Sequence, residues 1–244
     1  MLSKSVIKYI QSLQQKKFRD EHKVFIAEGT KLVNELLSDK NFTCEKIYCL
    51  PEWKQDTFSE NLAIELVKDF ELEKISGLVK PNLVLAIFKQ KHSIASFQVA
   101  GKITLLLDDI QDPGNMGTII RTADWFAIQN IVCSLNSADC YNSKVVQSSM
   151  ASLGRVNLVY TKLEQWLKEN NKINILAATL HGRPLHEYQH IREAFIIIGN
   201  ESKGISPALL SMANEKISIE KWGEAESLNA GVATGILLYH LKNS

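Results

Sequence analysis

The chain has 244 residues, of which 45% are hydrophobic and 23% are charged. This length and composition are those of a globular protein with one large domain or two of ordinary size. The longest apolar runs, such as Phe195–Ile198 and Gly231–Tyr239, are too short to span a bilayer, and the first residues lack the apolar region of a signal peptide, so we expect a cytoplasmic protein without a membrane anchor. The formal net charge of +1 does not by itself indicate a class of partner.

The spacing of cysteines and histidines favours neither a disulfide framework nor a metal site. The cysteines are Cys44, Cys49, Cys133 and Cys140. They form no C-x-x-C pair and match no common zinc module, so we expect reduced thiols. His181, His186 and His190 lie close together, but no cysteine or carboxylate set completes a site around them, and we expect no metal.

In the first third of the chain, the apolar spacing alternates between helical and strand patterns. Val6, Ile10 and Leu13 recur at helical spacing, which predicts a helix over 4–18. The patterns that follow predict strands at 24–27, 46–50 and 83–88 and helices at 30–37 and 59–71.

Basic residues concentrate at the start of the chain. Residues 1–31 contain seven Lys or Arg and three Asp or Glu, a net charge of +4. Such a surface attracts phosphates. An ordinary solvated helix face is the alternative, and charge alone does not separate the two.

A polar stretch, residues 89–101, ends in glycine and predicts a junction between a domain over 1–95 and a domain over 101–244. The second domain again alternates strands and helices, which favours an α/β fold with a mainly parallel sheet covered on both faces. Strands are predicted at 103–107, 130–134, 173–177, 195–198 and 216–219. Helices are predicted at 116–127, 143–153, 162–170, 206–213 and 226–241.

The most informative stretch begins at the first strand of the second domain. Residues 103–107 are followed by the turn-forming sequence Asp112-Pro-Gly-Asn, with Asn115 as the expected helix N-cap. On the helix that follows, Thr118, Arg121, Thr122 and Trp125 share one face. A strand, a tight loop and a helix with one well-placed arginine form a place to hold a small polar ligand or a phosphate.

Two common nucleotide-binding motifs are absent from this pattern. The glycines at 114 and 117 do not form the G-x-G-x-x-G of dinucleotide-binding folds, and no acid follows the strand at 131–134 to bind a ribose hydroxyl. Gly199 and Gly204 have the glycine spacing of a P-loop, but Ile205 and Ser206 replace its Lys-Ser/Thr pair. We therefore reject an oxidoreductase and an NTPase.

Two further strand ends carry polar residues. The strand at 195–198 ends in Gly199, Asn200 and Glu201, and ligands in open α/β sheets bind beyond such ends, although a simple turn is the alternative. The strand near 217 leads through a loop into an apolar helix, with Ser227 as expected cap and Asn229 in the first turn. A helix apolar nearly all round is either a core helix or one at a subunit interface.

Taken in order, three motifs resemble those of the SpoU (TrmH) family of RNA ribose 2′-O-methyltransferases, in the SPOUT superfamily. They are Asp112-Pro-Gly-Asn-x-Gly-x-x-x-Arg-Thr-Ala, Gly199-Asn-Glu-x-x-Gly and Ser227-Leu-Asn. Residues 24–37 resemble the family's substrate-binding domain, which is similar to ribosomal protein L30e. The resemblance implies a C-terminal SPOUT domain with a deep trefoil knot around a mainly parallel sheet, preceded by a smaller L30e-like α/β domain that binds the RNA.

The same resemblance implies S-adenosyl-L-methionine (SAM) as methyl donor, a homodimer formed through the knotted domain, and RNA as substrate, with ribosomal RNA favoured over transfer RNA by the two-domain layout. The family's catalytic and structural polar positions fall on Asn115, Arg121, Glu201, Ser227 and Asn229. Its cofactor-binding positions fall on Thr179, Gly199, Ile219 and Leu228. We expect Arg121 to hold an RNA phosphate and Glu201 to orient Arg121.

The third motif departs from the family pattern. The family often has Ile-Pro-Met where this chain has Ile219, Glu220 and Lys221, so two charges replace a stiffening proline close to the expected cofactor site. Gly231 also stands where the family often has a serine. These departures keep open a second hypothesis, a non-catalytic RNA-binding protein of the same fold, beside a methyltransferase acting on ribosomal or transfer RNA.

Overall fold

The computed structural model describes residues 1–53, 62–91, 97–189 and 191–243. His190, part of the histidine cluster in the sequence, lies outside the described residues. The chain divides into two compact units, the first formed by Met1–His92 with Asp139–Gly154 and the second by Ser93–Ala138 with Arg155–Ser244. None of the described helices is long and apolar enough to cross a membrane.

The described residues form nine α-helices and ten strands. The helices are α1 (Lys4–Ser12), α2 (Lys16–His22), α3 (Thr30–Ser38), α4 (Asp69–Ile75), α5 (Pro113–Trp125), α6 (Ser143–Ser149), α7 (Leu163–Glu169), α8 (Pro207–Met212) and α9 (Ala230–Asn243). The strands are β1 (Val24–Glu28), β2 (Cys44–Cys49), β3 (Ile64–Leu66), β4 (Val84–Lys89), β5 (Ile103–Leu107), β6 (Asn130–Ser134), β7 (Asn157–Thr161), β8 (Ile175–Pro184), β9 (Ala194–Ile198) and β10 (Glu215–Ser218).

The first unit is built on a mixed four-stranded sheet in the order β1-β4-β2-β3. Strand β4 pairs antiparallel with β1 and with β2, whereas β2 pairs parallel with β3. Apolar side chains of α1, its C-cap Leu13, α4 and the sheet form its core, including Ile10, Ile26, Leu72 and Ile87. These buried side chains are the apolar positions of the helices and strands, as expected for elements that bury one face.

Two sequence predictions in this unit are wrong. The helix predicted over 4–18 is two helices, because the guanidinium of buried Arg19 donates to the carbonyls of Leu13 (3.0 Å) and Gln14 (2.8 Å) at the break. The helix predicted over 59–71 begins only at Asp69, and residues 59–61 lie outside the described part. Residues 64–66 are instead a strand, since they pair with β2 across the edge of the sheet.

The segment Asp139–Gly154 also belongs to the first unit, although the predicted domain limits assign it to the second domain. Arg19, only 2% exposed, donates to the Asp139 carboxylate at 2.5 Å, and the rings of Phe25 and Tyr141 lie 5.0 Å apart. Gly154 is so closely approached that a Cβ there would lie 1.7 Å from an Asp39 carboxylate oxygen. This buried ion pair and these close contacts join residues that are far apart in sequence, which local patterns do not reveal.

The second unit contains a six-stranded sheet in the order β10-β8-β9-β5-β6-β7, and every neighbouring pair is parallel. The predicted α/β fold with a mainly parallel sheet is confirmed, and β5 and β6 have the predicted bounds. Strand β7 was not predicted, because its residues are all half-buried and begin and end with polar Asn157 and Thr161. The strands in the middle of the sheet are buried throughout, as parallel strands covered on both faces should be.

The two helices that carry the motifs begin at different residues from those predicted. Asp112 caps α5 by accepting from the Asn115 amide N–H at 2.7 Å, and Pro113 occupies the first turn, so Asn115 lies inside the helix. The side chain of Asn229 accepts from the N–H groups of Gly231 (3.0 Å) and Val232 (3.3 Å) and caps α9 in place of Ser227. Each asparagine is thereby fixed at a helix start.

Candidate active site

Parallel pairing brings the carboxyl ends of β5, β8, β9 and β10 to one edge of the second unit's sheet. A cavity of about 710 Å³ lies between the second half of β8 and the segments that follow β9 and β10. Buried Ile198, Ile217 and Leu237 line it, and polar side chains including Glu201 and Ser227 border it. This size, and this combination of apolar walls with a few polar groups, are typical of a small-molecule site.

All four predicted cofactor-binding residues border this cavity. They are Thr179, Gly199, Ile219 and Leu228. They come from three separate segments of the chain, and the parallel sheet brings these segments together. Their proximity was expected from the family resemblance alone, and their role in binding stays a prediction.

Gly199 sits where the backbone of the following turn comes closest. A Cβ at this position would lie 2.4 Å from the carbonyl carbon of Gly204 and 2.5 Å from the amide nitrogen of Ile205. The turn is closed by Asn200 and Gly204, whose backbone groups exchange hydrogen bonds of 3.1 and 2.9 Å, and Gly204 has φ +69°. Only glycine fits at 199 without moving main-chain atoms.

Three of the predicted polar residues form one hydrogen-bonded chain. The Nδ2 of Asn229 donates to the Oδ1 of Asn115 at 2.7 Å. The Nδ2 of Asn115 in turn donates to a carboxylate oxygen of Glu201. The three motifs, distant in the sequence, therefore meet through side chains, and the direction of each bond fixes the orientation of the Asn115 amide.

Arg121 and Ser227 stand apart from this chain. Ser227 borders the cavity and is exposed. Arg121 is exposed on α5, and within the described residues it makes no hydrogen bond or ion pair. The expected contact between Glu201 and Arg121 is not found among the described residues, and the hydrogen bond that Glu201 accepts there comes from Asn115. The guanidinium is consequently available to an external anion.

The charged departure in the third motif makes a contact that the sequence does not predict. The Glu220 carboxylate is hydrogen-bonded to the Nδ1 of His186, and this bond lowers the pKa of Glu220 below its ordinary value. The link ties the end of β10 to the turn after β8 and restrains a loop where the family often has a proline. The sequence shows only that a glutamate replaces the proline, and the tertiary structure is needed to pair this glutamate with His186.

Helix α9 presents two different faces. Ala230, Ala233 and Leu237 border the cavity. Val232 (50%), Ile236 (38%) and Tyr239 (65%) are exposed although apolar. These positions recur at helical spacing, so they form a stripe along the helix. We refer to Val232, Ile236 and Tyr239 as the outer stripe of α9.

Comparison with known proteins identifies the family. A family model described as the SpoU rRNA Methylase family matches residues 102–239, more than half of the chain. The chain belongs to this family. A second model, described as an MRM3-like substrate binding domain, matches residues 4–86. The family predicted from the three motifs is therefore confirmed for this SpoU methylase.

Characterised relatives cover nearly the whole SpoU methylase. The 23S rRNA (guanosine(2553)-2′-O)-methyltransferase RlmP of Bacillus subtilis is 28% identical over 239 residues, which are 97% of this chain and 95% of the relative. The AdoMet-bound rRNA methyltransferase of Sinorhizobium meliloti is 28% identical with a TM-score of 0.85, over 99% of this chain and 95% of that one. The SpoU methyltransferase AviRb of Streptomyces viridochromogenes, solved with AdoMet, has a TM-score of 0.83 at 21% identity and supports the fold alone, over 98% of this chain and 97% of its own. The predicted methyltransferase class and its donor, SAM, are confirmed at the level of the family.

Proposed function

We propose that this SpoU methylase transfers a methyl group from SAM to the 2′-hydroxyl of a ribose in RNA, and that ribosomal RNA is its substrate in preference to transfer RNA. One observation carries the proposal. The cavity bordered by Thr179, Gly199, Ile219 and Leu228 adjoins Glu201, the end of the chain of hydrogen bonds from Asn229 through Asn115. The 23S rRNA specificity of the Bacillus subtilis relative supports the choice of RNA.

The residues present suit the cofactor. The apolar walls, including Ile198 and Ile217, match the faces of an adenine. Ser227 offers a hydroxyl group, and the Thr179 hydroxyl, which donates to the His181 carbonyl at 2.9 Å, can accept a hydrogen bond. The cavity of about 710 Å³ is in the range that encloses small ligands. When bound, SAM supplies a methyl group carried on a positively charged sulfur.

The chain's own residues act mainly by positioning. Arg121 holds an RNA phosphate through its planar fork of donors, and the proton of the 2′-hydroxyl passes to a phosphate oxygen or to water, since arginine stays charged in proteins. Asn115 and Asn229, locked by their mutual hydrogen bond, fix the loop on which the ribose rests. Holding the hydroxyl in line accounts for much of the rate, because orientation removes entropy from the barrier.

We assign binding of the RNA to the first unit. Its match to a substrate-binding domain model supports this, as does the basic start of the chain. Arg19 and Glu28 are buried there, but the six lysines between positions 1 and 31 are all exposed, against exposed Asp20 and Glu21. The exposed groups therefore keep the net charge of +4, which suits a phosphate backbone. An L30e-like fold of this unit is part of the same proposal.

The proposal also includes the knot and the homodimer. The knot is supported by the sheet order, in which the chain leaves central β9 and returns to the edge as β10 beyond β8. The homodimer is supported by the outer stripe of α9, together with Trp125 at the end of α5, which is 84% exposed. A second copy would remove these apolar side chains from water.

The decisive experiment incubates the full-length protein with methyl-labelled SAM and unmodified transcripts of large-subunit ribosomal RNA and of transfer RNA. We expect label on ribose in the ribosomal transcript. The adjacent phosphodiester should then resist alkali, because a methylated 2′-oxygen cannot attack it. Label on a base would contradict the ribose assignment, and label only in transfer RNA would select the transfer-RNA alternative. Absence of both methyl transfer and SAM binding by calorimetry would select the non-catalytic RNA-binding protein.

A further inference from the structure

The loop between β10 and α9 exposes a large aromatic side chain at the cavity. Trp222 borders the cavity, yet its side chain is 91% exposed. Among the described residues, no hydrogen bond or ring contact engages its indole. Solitary exposed aliphatic residues are ordinary, but a tryptophan this open beside a ligand site indicates a partner that covers it.

The position of Trp222 is restrained by the ends of its loop. It follows Glu220 by two residues, and Glu220 is bonded to His186. At the far end of the same loop, Asn229 is held by its bonds to α9 and to Asn115. A ring between two anchored ends loses less freedom on binding than one on an untethered loop.

The cofactor does not need this ring. Ile198, Ile205, Ile217 and Leu237, which are all buried, already form the apolar walls of the cavity. Trp222 lies at the border of the cavity with almost all of its surface in water. Its ring is therefore available to a molecule that binds at the opening of the cavity.

A second copy of the chain is not the best occupant either. The outer stripe of α9, which supports the homodimer, lies on the face of the helix that does not border the cavity. Trp222 stands on the loop before α9 and borders the cavity, so it is not part of the outer stripe.

An RNA base fits the chemistry of the position. Unstacked bases of single-stranded RNA are recognised by stacking on aromatic side chains. Lys221 is followed by Glu224 and Glu226 on this loop, so the loop offers RNA an aromatic face rather than a net positive charge. The 2′-hydroxyl to be methylated must come to this cavity, and the base of that nucleotide or of its neighbour comes with it.

We propose that Trp222 is a positioning residue that stacks on an RNA base at the entrance of the cavity and so holds the target ribose. The proposal rests on the function proposed above. It predicts a role in binding RNA that is separate from binding SAM.

The test compares Trp222→Ala, Trp222→Leu and Trp222→Phe in the full-length protein, with the unmodified large-subunit ribosomal transcript as probe. Leucine keeps apolar bulk but has no aromatic face, whereas phenylalanine keeps the face. We expect Ala and Leu to raise the KM for RNA by roughly 5-fold to 150-fold, with Phe close to wild type. The Kd for SAM by calorimetry and the mass by light scattering should stay unchanged in all three.

A second readout follows the indole directly. Addition of the transcript should quench more tryptophan fluorescence in the wild type than in Trp222→Phe, because Trp53, Trp125 and Trp166 are common to both. A wild-type KM in Trp222→Ala, or a Leu variant as good as Phe, would overturn the proposal. So would a loss of SAM affinity that matches the loss of RNA affinity. A failure of the proposed function would be seen separately, because the wild-type protein would then transfer no methyl group to ribose.

Discussion

At the scale of single residues, Asn115 explains why an amide stands in the first motif. Its Oδ1 accepts from Asn229 while its Nδ2 donates to Glu201. An aspartate would lose the donor and place two carboxylates together, and an alanine would lose both bonds. One side chain with a donor and an acceptor is therefore what joins the three motifs.

Gly199 gives a prediction at the same scale. Gly199→Ala places a Cβ against main-chain atoms of Gly204 and Ile205 that cannot rotate away, so the turn must shift. Overpacking of this kind costs roughly 1–3 kcal/mol, and we expect SAM affinity to fall by about 5-fold to 150-fold in calorimetry. Gly223→Ala is the matched control, because nothing lies within 4 Å of its Cβ position. Equal affinities in the two variants would contradict the close approach.

Arg121 gives a second residue-scale prediction. Because the guanidinium is exposed and does not border the cavity, Arg121→Ala should leave SAM affinity nearly unchanged. Methyl transfer should fall by orders of magnitude, since the substrate phosphate is no longer oriented. Arg121→Lys should restore little, because a point charge cannot replace a planar fork. Nucleoside mass spectrometry measures the product, and full activity of the alanine variant would refute the phosphate clamp.

At the scale of elements, side-chain contacts fix the start of α9 and the loop that precedes it. Its start is set by the side chain of Asn229, and one face borders the cavity. The loop before it is restrained by the bond of Glu220 to His186. Strand β10, the loop after it and α9 are thus held together as one continuous wall of the site.

The two glycines of α9 should respond differently to alanine. A Cβ at Gly231 would lie 2.7 Å from the Thr118 methyl and 3.2 Å from the capping oxygen of Asn229. A Cβ at Gly235 would have only the Thr122 methyl near it, at 3.8 Å. We expect Gly235→Ala to raise the free energy of unfolding by about 0.5–1 kcal/mol, because alanine is favoured over glycine inside a helix. Gly231→Ala should raise it by less, or lower it, because of the close contacts at that position. Urea unfolding of the two variants at one protein concentration measures this free energy. A larger increase for Gly231→Ala than for Gly235→Ala would contradict the prediction.

At the scale of the whole molecule, the proposed homodimer can be tested at the exposed apolar side chains of α9. Ile236→Glu places a charge in the middle of the outer stripe of α9 and should weaken the homodimer, because burying an unpaired carboxylate is costly. Light scattering over a concentration series should show the change from twice the chain mass toward the monomer. Lys242→Glu, an exposed charge reversal on the same helix, should leave the dimer intact. A wild-type protein that is monomeric at micromolar concentration would exclude the interface.

The sequence determined those features that depend on neighbours along the chain. The alternation of apolar runs predicts the parallel sheet, and β5 and β6 have the predicted bounds because each is a short buried run between turn residues. The three motifs, read in order, predict the family, and the resemblance picks out Thr179, Gly199, Ile219 and Leu228, which all border one cavity. The weak pattern of β7 and the break after α1 could not be predicted in this way, because half-buried strands and a buried arginine have no periodic signature.

Only the tertiary structure decided which side chains meet. Glu201 pairs with Asn115 rather than Arg121, Asn229 rather than Ser227 caps α9, and Glu220 finds His186. The segment 139–154 packs in the first unit through Asp139, whose partner Arg19 is 120 residues away in sequence. Local propensity cannot encode these pairings, because each depends on two distant groups being brought within hydrogen-bond distance by the packing of everything between them.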